Sequence, residues 1–304
     1  MNNLTRTNEI YKAVCPNGLK VTKYSKYRKL GSMGIDGKLC SAKKGCLCCH
    51  GADGFGDPHF VTYDGTPYSF HGQCDLVMAK SPEFADGLGL YVHGRTEIIE
   101  DSWSLISNAA VRIGDDVLEL SNKGALYFNG NEITADDEAP MSMAGVYNIT
   151  REIKMLNNIP KTDVSVSLNE GKSKVKFSLF KRLIAVHVGA AVEDTNGMLG
   201  NRAIDGLVGR NNIVLDSAND MGAHWQVSNE EPMLFREAAF PQYPETCVLP
   251  KVESRNRKLR SSPVHRRRAE ESCAGVTGDK LQFCIEDVLL TGDHEIGLMY
   301  GDAY

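Results

Sequence analysis

The chain has 304 residues, of which 42% are hydrophobic and 24% charged, and its formal net charge is −5. These values are ordinary for a globular protein that can bury a sizeable core. No apolar run reaches the roughly 18 residues that cross a membrane, which excludes a predicted membrane span. The first residues also lack the apolar core of a signal peptide, so none is visible in this sequence.

Nine cysteines point to an oxidising compartment, because cysteines clustered in a short segment usually form disulfides there. We interpret residues 1–55 as a cysteine-rich flank held by disulfides. The alternative is zinc bound by residues 46–50, which is less favoured because four donors within five residues do not easily surround one ion. The cysteines therefore predict a secreted, extracellular protein. Five of the nine lie in the flank: Cys15, Cys40, Cys46, Cys48 and Cys49.

Residues 56–230 change to short β-rich runs separated by turn residues. Apolar and polar side chains alternate in residues 164–168 and 175–179, which predicts strands with one buried face. Hairpins are expected around Asp64-Gly65 and Asn129-Gly130. Many short strands with almost no helical pattern predict a mainly β fold, either an antiparallel β-sandwich or a flattened barrel. Strands are predicted near residues 60–63, 68–70, 76–79, 88–93, 105–113, 117–120, 125–128, 132–133, 146–149, 164–168, 175–180 and 183–188.

Beyond residue 230 the chain is expected to be looser. Residues 231–270 are interpreted as a connector that ends in a basic stretch, 251–268, predicted to be disordered. This stretch lacks interleaved aromatics, which favours a solvated linker over a nucleic-acid-binding surface. Residues 271–304 are predicted to contain a short amphipathic helix over residues 278–290, because Leu281, Ile285 and Val288 keep helical spacing. A local Cys273–Cys284 disulfide is also predicted.

An enzyme acting on an external substrate is the alternative class of function. A metal-dependent hydrolase is not favoured, because His59, His71 and His93 supply no pair of metal ligands on one element. Neither Ser69 nor Cys74 lies on the strand–turn–helix elbow of a hydrolase. The sequence therefore favours a module without turnover chemistry.

Three motifs together resemble a von Willebrand factor type D domain. The run Gly56-Asp57-Pro58-His59, with the hairpin after it and the cysteine of Gly72-Gln73-Cys74, resembles the opening of such a domain. Residues 196–201 stand where the family has Cys-Gly-Leu-Cys-Gly-Asn, and residues 224–228 resemble its closing Trp-x-Val. The resemblance implies a calcium-binding antiparallel β-sandwich in a secreted glycoprotein. The implied partners are other extracellular or matrix proteins, in adhesion or self-association.

The resemblance implies Ca²⁺ as a cofactor. Asp64 and Asn201 match calcium ligands of the family, but Ala203 stands where a further carboxylate is expected. Carboxylate and amide oxygens in a glycine-containing loop suit a hard cation. A Gly/Asn-rich surface turn without metal is the alternative. The candidate ligands are Asp64, Asn201, Asp205, Asn211 and Asn212.

The family's cysteine pattern is only partly present. The resemblance implies that Cys74 pairs with a cysteine after the Trp-x-Val, for which Cys247 is the nearest candidate. Asn196 and Leu199 replace both cysteines of the family's Cys-x-x-Cys, which removes a thiol-exchange motif and weakens a multimer-forming role.

In some relatives the Gly-Asp-Pro-His motif cleaves its own Asp–Pro bond. The residues support such chemistry here, because the Asp57 carboxyl can attack its own carbonyl, Pro58 provides a tertiary amide nitrogen, and His59 can move a proton. The alternative is that Pro58 merely starts an edge strand, where a missing N–H does no harm.

Two further marks fit a secreted glycoprotein. Asn3 and Asn148 each begin an Asn-x-Thr glycosylation acceptor sequence. Residues 257–260 and 266–268 resemble processing sites for proteases that cut after basic residues, although an ordinary basic linker is the favoured interpretation.

Overall fold

The structure, a computed structural model, describes residues 51–134, 141–168, 173–189, 194–238, 241–260 and 262–301, together with the backbone of four short strands before residue 51. These four strands form two antiparallel pairs. The predictions for the side chains of Asn3 and of the five N-terminal cysteines lie outside the described residues. The strands are β1 (Ala13–Val14) with β2 (Lys20–Val21), and β3 (Leu30–Met33) with β4 (Leu39–Ser41).

A six-stranded antiparallel sheet forms one layer of the fold. Its strands follow one another in chain order from one edge to the other, so each contact is made by a hairpin or a short connection. A helical turn, α1 (Phe84–Gly87), joins the first two strands. The strands are β8 (Cys74–Ser81), β9 (Leu90–Ile99), β10 (Trp103–Ile113), β11 (Asp116–Ser121), β12 (Leu126–Phe128) and β13 (Asn131–Ile133).

An eight-stranded antiparallel sheet forms the second layer. Its strands are β5 (Ala52–Phe55), β6 (His59–Val61), β7 (Pro67–Ser69), β14 (Ser142–Met143), β15 (Tyr147–Leu156), β16 (Ile159–Leu168), β17 (Ser173–Phe180) and β18 (Leu183–Val188). Their spatial order is β14-β15-β16-β17-β18-β5-β6-β7. The two layers confirm the predicted mainly β, antiparallel sandwich. Pro58 does not begin an edge strand, since β6 is hydrogen-bonded on both sides.

The alternating strands bury the residues that their pattern selects. Val164, Val166 and Val175 are each 1% exposed and belong to the main core between the sheets. Both predicted hairpins are present, with Phe60 opposite Tyr68 across β6 and β7. In the turn between β12 and β13, Asn129 and Gly130 both have the positive φ that an Asn-Gly hairpin needs.

Helix α2 (Ala218–Trp225) closes one end of this core, and the sequence pattern did not predict it. Ser217 caps its N-terminus by accepting the backbone N–H of Asp220 at 3.1 Å. At the other end the buried Trp225 donates its indole N–H to the carbonyl of Val208 at 2.8 Å. The helix therefore fixes the loop that contains the 3₁₀ turn Arg210–Asn212.

Four helices, which we term the helical unit, pack on the sandwich after residue 251. They are α3 (Val252–Leu259), α4 (Pro263–Ser272), α5 (Asp279–Thr291) and α6 (Ile296–Gly301). Phe55, Trp103 and Phe180 of the sandwich share a second hydrophobic cluster with Phe283 and Tyr300 of the unit. The amphipathic helix expected over residues 278–290 is confirmed as α5, and Gly292 in the left-handed region ends it. None of the described helices is both long and apolar enough to span a bilayer.

The prediction of disorder over residues 251–268 is wrong, because α3 and the first six residues of α4 occupy most of them. Composition suggested a solvated linker, but Lys251, Arg255 and Lys258 pair with acidic residues that are more than 30 positions away along the chain. The connector before them is also less loose than expected. Its Leu234 and Phe235 are buried against the outer side of the six-stranded sheet.

Both predicted disulfides are present. Cys74–Cys247 joins the first strand of the six-stranded sheet to the connector and spans 173 positions of sequence. Next to it, Gln73 and Val248 exchange two backbone hydrogen bonds. Cys273–Cys284 closes a loop of 11 positions between α4 and α5. One bridge therefore anchors the connector to the sandwich and the other braces the helical unit.

We expect the double variant Cys74→Ala/Cys247→Ala to lose about 2–5 kcal/mol of unfolding free energy, because an opened 173-position loop gives the unfolded chain more conformational entropy. Cys273→Ala/Cys284→Ala is the matched control and should lose less, since it opens a much shorter loop. Urea unfolding of the three proteins measures both changes. Equal stability of the first variant and the wild type would contradict the prediction.

Candidate functional site

The loop Gly56-Asp57-Pro58 connects β5 to β6 and is buried where the sandwich meets the helical unit. Phe55 and His59 face each other directly across this loop. Gly56 has a φ of 66°, and a Cβ at that position would overlap the carboxylate of Asp287. The glycine is therefore required both by the backbone conformation and by the close approach of helix α5.

The Asp57 carboxylate is fully buried and accepts hydrogen bonds from three donors. Its Oδ1 lies 2.9 Å from Nδ1 of His71 and 3.1 Å from the backbone N of Ser104. Its Oδ2 accepts from the Arg255 guanidinium at 2.6 Å. A buried carboxylate that is paired and hydrogen-bonded in this way avoids the large cost of an isolated buried charge.

The Asp287 carboxylate of helix α5 is the centre of the second half of the site. Its Oδ1 accepts the backbone N–H of Asp57 at 3.0 Å and lies 3.0 Å from Nε2 of His59. Its Oδ2 accepts the hydroxyl of Tyr300 from helix α6 at 2.6 Å. One side chain of the helical unit thus holds both residues that flank Pro58.

His59 is held on every side. Because a carboxylate only accepts, Nε2 carries the proton towards Asp287, and Nδ1 lies 2.7 Å from the Ser69 hydroxyl. The ring stacks on Phe283 with centroids 4.2 Å apart and planes at 13°. Neither ring nitrogen is left free for another partner.

Opposing effects act on the pKa of Asp57. Burial alone raises it, but the hydrogen bond and charge of His71, the Arg255 guanidinium and His59 outweigh burial and hold the pKa below its ordinary value of 3.8. Asp57 is therefore ionised at neutral pH and in mild acid. The ion pair with Arg255 persists over the same range.

Asp57, His59 and Asp287 place ligand-type atoms within 4.8 Å of one another, and they form the one such acidic and histidine cluster among the described residues. His59 hydrogen-bonds to Asp287, which also accepts from Tyr300, and the Asp57 carboxylate is occupied by other donors, among them Arg255. We therefore interpret the cluster as a buried hydrogen-bond network that joins two parts of the fold.

The predicted calcium ligands lie elsewhere, at the turn between β6 and β7 and in the loop after Gly200. Asp64 Oδ2 accepts the backbone N–H of Gly206 at 3.1 Å and the Thr66 hydroxyl at 2.8 Å. The Thr62 hydroxyl donates to Oδ1 of the same carboxylate. The hairpin carboxylate is thus in contact with the loop that carries the other candidates.

Within that loop, Asn201 and Asn212 meet, since the Asn201 amide donates to the Asn212 side-chain oxygen at 3.0 Å. The Asn201 oxygen accepts the backbone N–H groups of Ala203 at 2.7 Å and Ile204 at 3.1 Å. Asp205 and Asn211 are exposed. The carboxylate and amide oxygens are the donor types that a hard cation takes, so the residues present fit the class of ion that the sequence predicted.

The two arginines near the loop point to other partners. Arg210 forms a salt bridge with the buried Glu231 and donates to the carbonyl of His224 at 2.6 Å. Arg202 lies over the ring of Tyr63 at 5.3 Å. The positive charges that would disfavour a cation are therefore engaged outside the cluster of candidate oxygens.

A family model for the von Willebrand factor type D domain matches residues 52–216, more than half of the chain. The chain belongs to the von Willebrand factor type D domain family. The matched range begins four residues before the boundary of 56 expected from the sequence, at the start of β5, which pairs with β18 and β6 inside the eight-stranded sheet.

Mucins and a spondin are among the relatives of this type D protein. Mucin-5B of Gallus gallus is 26% identical over 192 residues, which cover 60% of this chain and 8% of the relative. SCO-spondin of Bos taurus is 29% identical over 120 residues, 38% of this chain and 2% of the relative. Mucin-2 of Mus musculus is 34% identical over 79 residues, 26% of this chain and 2% of the relative. The chain therefore spans less than a tenth of each relative's length.

Sequence reasoning identified the type D opening motif but missed the residues that surround it. Arg255 lies in the basic run that was interpreted as a linker, and Asp287 lies in a helix interpreted only by its apolar face. Tyr300 and Ser104 belonged to no motif. The one local signal was Gly56, because a glycine between a strand and an Asp-Pro pair indicates a close approach by another part of the fold.

The lowered pKa of Asp57 predicts how acid affects stability. A carboxylate with a depressed folded-state pKa stabilises the fold above its ordinary pKa, and this contribution is lost as the pH falls through the folded-state value. We expect Asp57→Asn to be less stable than the wild type at neutral pH and to lose less stability below about pH 4. Urea unfolding at a series of acidic pH values measures how the free energy of unfolding changes with pH. Asp115→Asn, at an exposed carboxylate, is the control and should show the same dependence on pH as the wild type.

Proposed function

We propose that this protein is an extracellular structural and interaction module of the type D kind. The observation that carries the proposal is the family match over residues 52–216, together with relatives that are mucins and a spondin. Two disulfides support an oxidising compartment. The polar residues of the family's opening motif pack in a buried junction, which supports a structural role over turnover of an external substrate.

Non-reducing peptide mapping of the secreted protein tests this function. The expected result is a Cys74–Cys247 peptide, a Cys273–Cys284 peptide and a glycan on Asn148, which is exposed at the start of β15. Glycosylation at that residue is part of the proposal, since its side chain is accessible to the modifying enzyme. Cysteines that are reduced throughout would contradict an extracellular module.

The hairpin of β15 and β16 is the surface that best supports contacts with other extracellular or matrix proteins, including a second copy of this chain. β14 pairs with β15 only at Tyr147 and Asn148, so residues 149–156 have no further strand beside them among the described residues. Ile153 and Met155 are 60% and 59% exposed on this strand. An exposed edge with apolar side chains is a common site of association between chains.

Calcium is the proposed cofactor of the module. Asp64, Asn201, Asp205, Asn211 and Asn212 would hold it, and a bound cation would supply charge that ties the β6–β7 turn to the loop after Gly200. The hydrogen bond between Asp64 and Gly206 supports this placement, because it already brings the hairpin and the loop together. The Asx-type bonds of Asn201 preorganise the loop in the same way.

We expect Ca²⁺ to raise the midpoint of thermal unfolding relative to EDTA, with a stabilisation of about 2–3 kcal/mol when the ion is at a hundredfold excess over its Kd. Asp64→Asn should reduce this shift, since it removes a carboxylate from the donor set. Asp115→Asn, an exposed carboxylate away from the loop, should leave it unchanged. A wild-type unfolding curve that does not differ between Ca²⁺ and EDTA would contradict the metal proposal.

Self-processing at the Asp57–Pro58 bond is the second proposed function. The observation that favours it is that Asp57 and Pro58 lie in a tight loop directly before His59 at the start of β6, so that the carboxyl, the carbonyl that it would attack and an imidazole are neighbours. Intact-mass measurement after incubation in mild acid tests it. The two expected fragments end at Asp57 and begin at Pro58, and a single intact mass at every pH even after prolonged incubation would contradict it.

A further inference from the structure

The helical unit contacts the Gly56-Asp57-Pro58 loop and the adjacent His59 through side chains from three of its helices. Arg255 of α3 binds the Asp57 carboxylate, Asp287 of α5 binds the Asp57 N–H and His59, and Tyr300 of α6 binds Asp287. We propose that the helical unit restrains cleavage of the Asp57–Pro58 bond, with Arg255 and Asp287 as positioning residues that hold the reacting groups apart. This inference rests on the second proposed function.

Cleavage of the bond requires two events. A carboxyl oxygen of Asp57 attacks its own backbone carbonyl carbon and forms a five-membered cyclic anhydride, while the C–N bond breaks and its electron pair passes to the nitrogen of Pro58, which takes up a proton. Water then opens the anhydride and restores two carboxyl groups, so one water molecule is added across the bond. The reaction therefore needs a mobile Asp57 carboxyl and a proton donor at the proline nitrogen.

The docked helical unit keeps the Asp57 carboxyl from moving towards its own carbonyl. Arg255 occupies Oδ2 of Asp57 at 2.6 Å, while His71 and Ser104 occupy Oδ1. Rotation of the carboxyl towards its own carbonyl would break these bonds inside a buried site, where unpaired charges are costly. The Arg255 guanidinium also favours the ionised form of Asp57, which cannot donate a proton to the leaving nitrogen.

The helical unit also keeps His59, the other proton donor beside the bond, from donating to the Pro58 nitrogen. The Nε2 proton of His59 is directed to Asp287, and the ring is pressed against Phe283 of the same helix. Asp287 further fixes the N–H of Asp57, so the backbone on the N-terminal side of the bond cannot turn independently. The titratable and charged groups that face Asp57 from all packed elements are His59, His71, Arg255, Glu286, Asp287 and Tyr300.

The contacts around Asp57 and His59 come from two parts of the fold, the sandwich and the helical unit. His71, Ser69 and Ser104 belong to the sandwich and remain when the helices move, whereas Arg255 and Asp287 leave with them. Displacement of the helical unit would therefore remove the Arg255 guanidinium and the Asp287 carboxylate together. The Asp57 carboxyl would then take up a proton more readily, and the imidazole of His59 would be released.

The test compares full-length wild type with Arg255→Met, which keeps much of the side-chain volume but removes the charge. In mildly acidic buffer we expect the variant to release the fragments ending at Asp57 and beginning at Pro58 about tenfold faster, because loss of an adjacent cation raises the pKa of a carboxyl and with it the protonated fraction at a given pH. Intact mass follows the rate, and its pH profile should shift towards neutral pH.

Three controls separate positioning from structural effects. Arg255→Lys keeps the cation and should restore the slow wild-type rate. Arg257 lies on the exposed side of the same helix, so Arg257→Met should also cleave at the wild-type rate. Asp57→Asn combined with Arg255→Met should abolish the fragments, which shows that no contaminating protease produces them.

A second variant, Asp287→Asn, tests the other contact and is expected to accelerate cleavage as well. Peptide mapping of the Cys273–Cys284 and Cys74–Cys247 bridges, with circular dichroism, confirms that each variant is folded. Wild type that cleaves as fast as both variants would overturn the restraint but leave self-processing in place. Folded variants that never cleave would overturn the restraint and self-processing together, while the extracellular module would stand.

Discussion

The buried carboxylate of Asp287 imposes the constraint on which the junction of this molecule depends. A carboxylate with no access to water must find donors within the protein, and the donors come from three separate places: the Asp57 backbone, the His59 ring and the Tyr300 hydroxyl. The approach of this side chain explains why position 56 is a glycine. The helical unit and the opening loop of the sandwich therefore require each other's geometry.

A second carboxylate, that of Asp57, makes the dependence reciprocal. It belongs to the sandwich but is neutralised by Arg255 of the helical unit, just as Asp287 of the unit is satisfied by the sandwich. The apolar cluster around Phe55, Phe283 and Tyr300 surrounds these pairs and keeps water away. The Gly56-Asp57-Pro58-His59 motif is thus part of an internal interface, which is why its residues bear on stability.

Local physics made much of the fold predictable from the sequence. The hairpins at Asp64-Gly65 and Asn129-Gly130 and the helix α5 follow from turn residues and periodicity, which act within a few positions. The basic run containing Arg255 was misinterpreted, because the acid that neutralises this arginine lies 198 positions earlier. Composition reports the charge of a segment but not the distant partner that orders it.

In the candidate sites, too, local motifs could be identified from the sequence but distant partners could not. Asp57 and His59 could be identified from their motif, whereas Asp287 carried no signal, since a polar residue on an amphipathic helix is normally solvent-exposed. For the predicted calcium ligands, the sequence identified the donor types. Only the fold shows that Asp64 meets the loop at Gly206, a residue 142 positions away.

Asp57 and Arg255 interact directly across the junction, and a double-mutant cycle tests this contact. The free energies of unfolding of wild type, Asp57→Asn, Arg255→Met and the double variant are measured at neutral pH. Direct contact predicts a coupling energy of about 1–3 kcal/mol between the two substitutions. Effects that add to within about 0.5 kcal/mol would instead show that the two residues are independent and that the junction does not depend on their pairing.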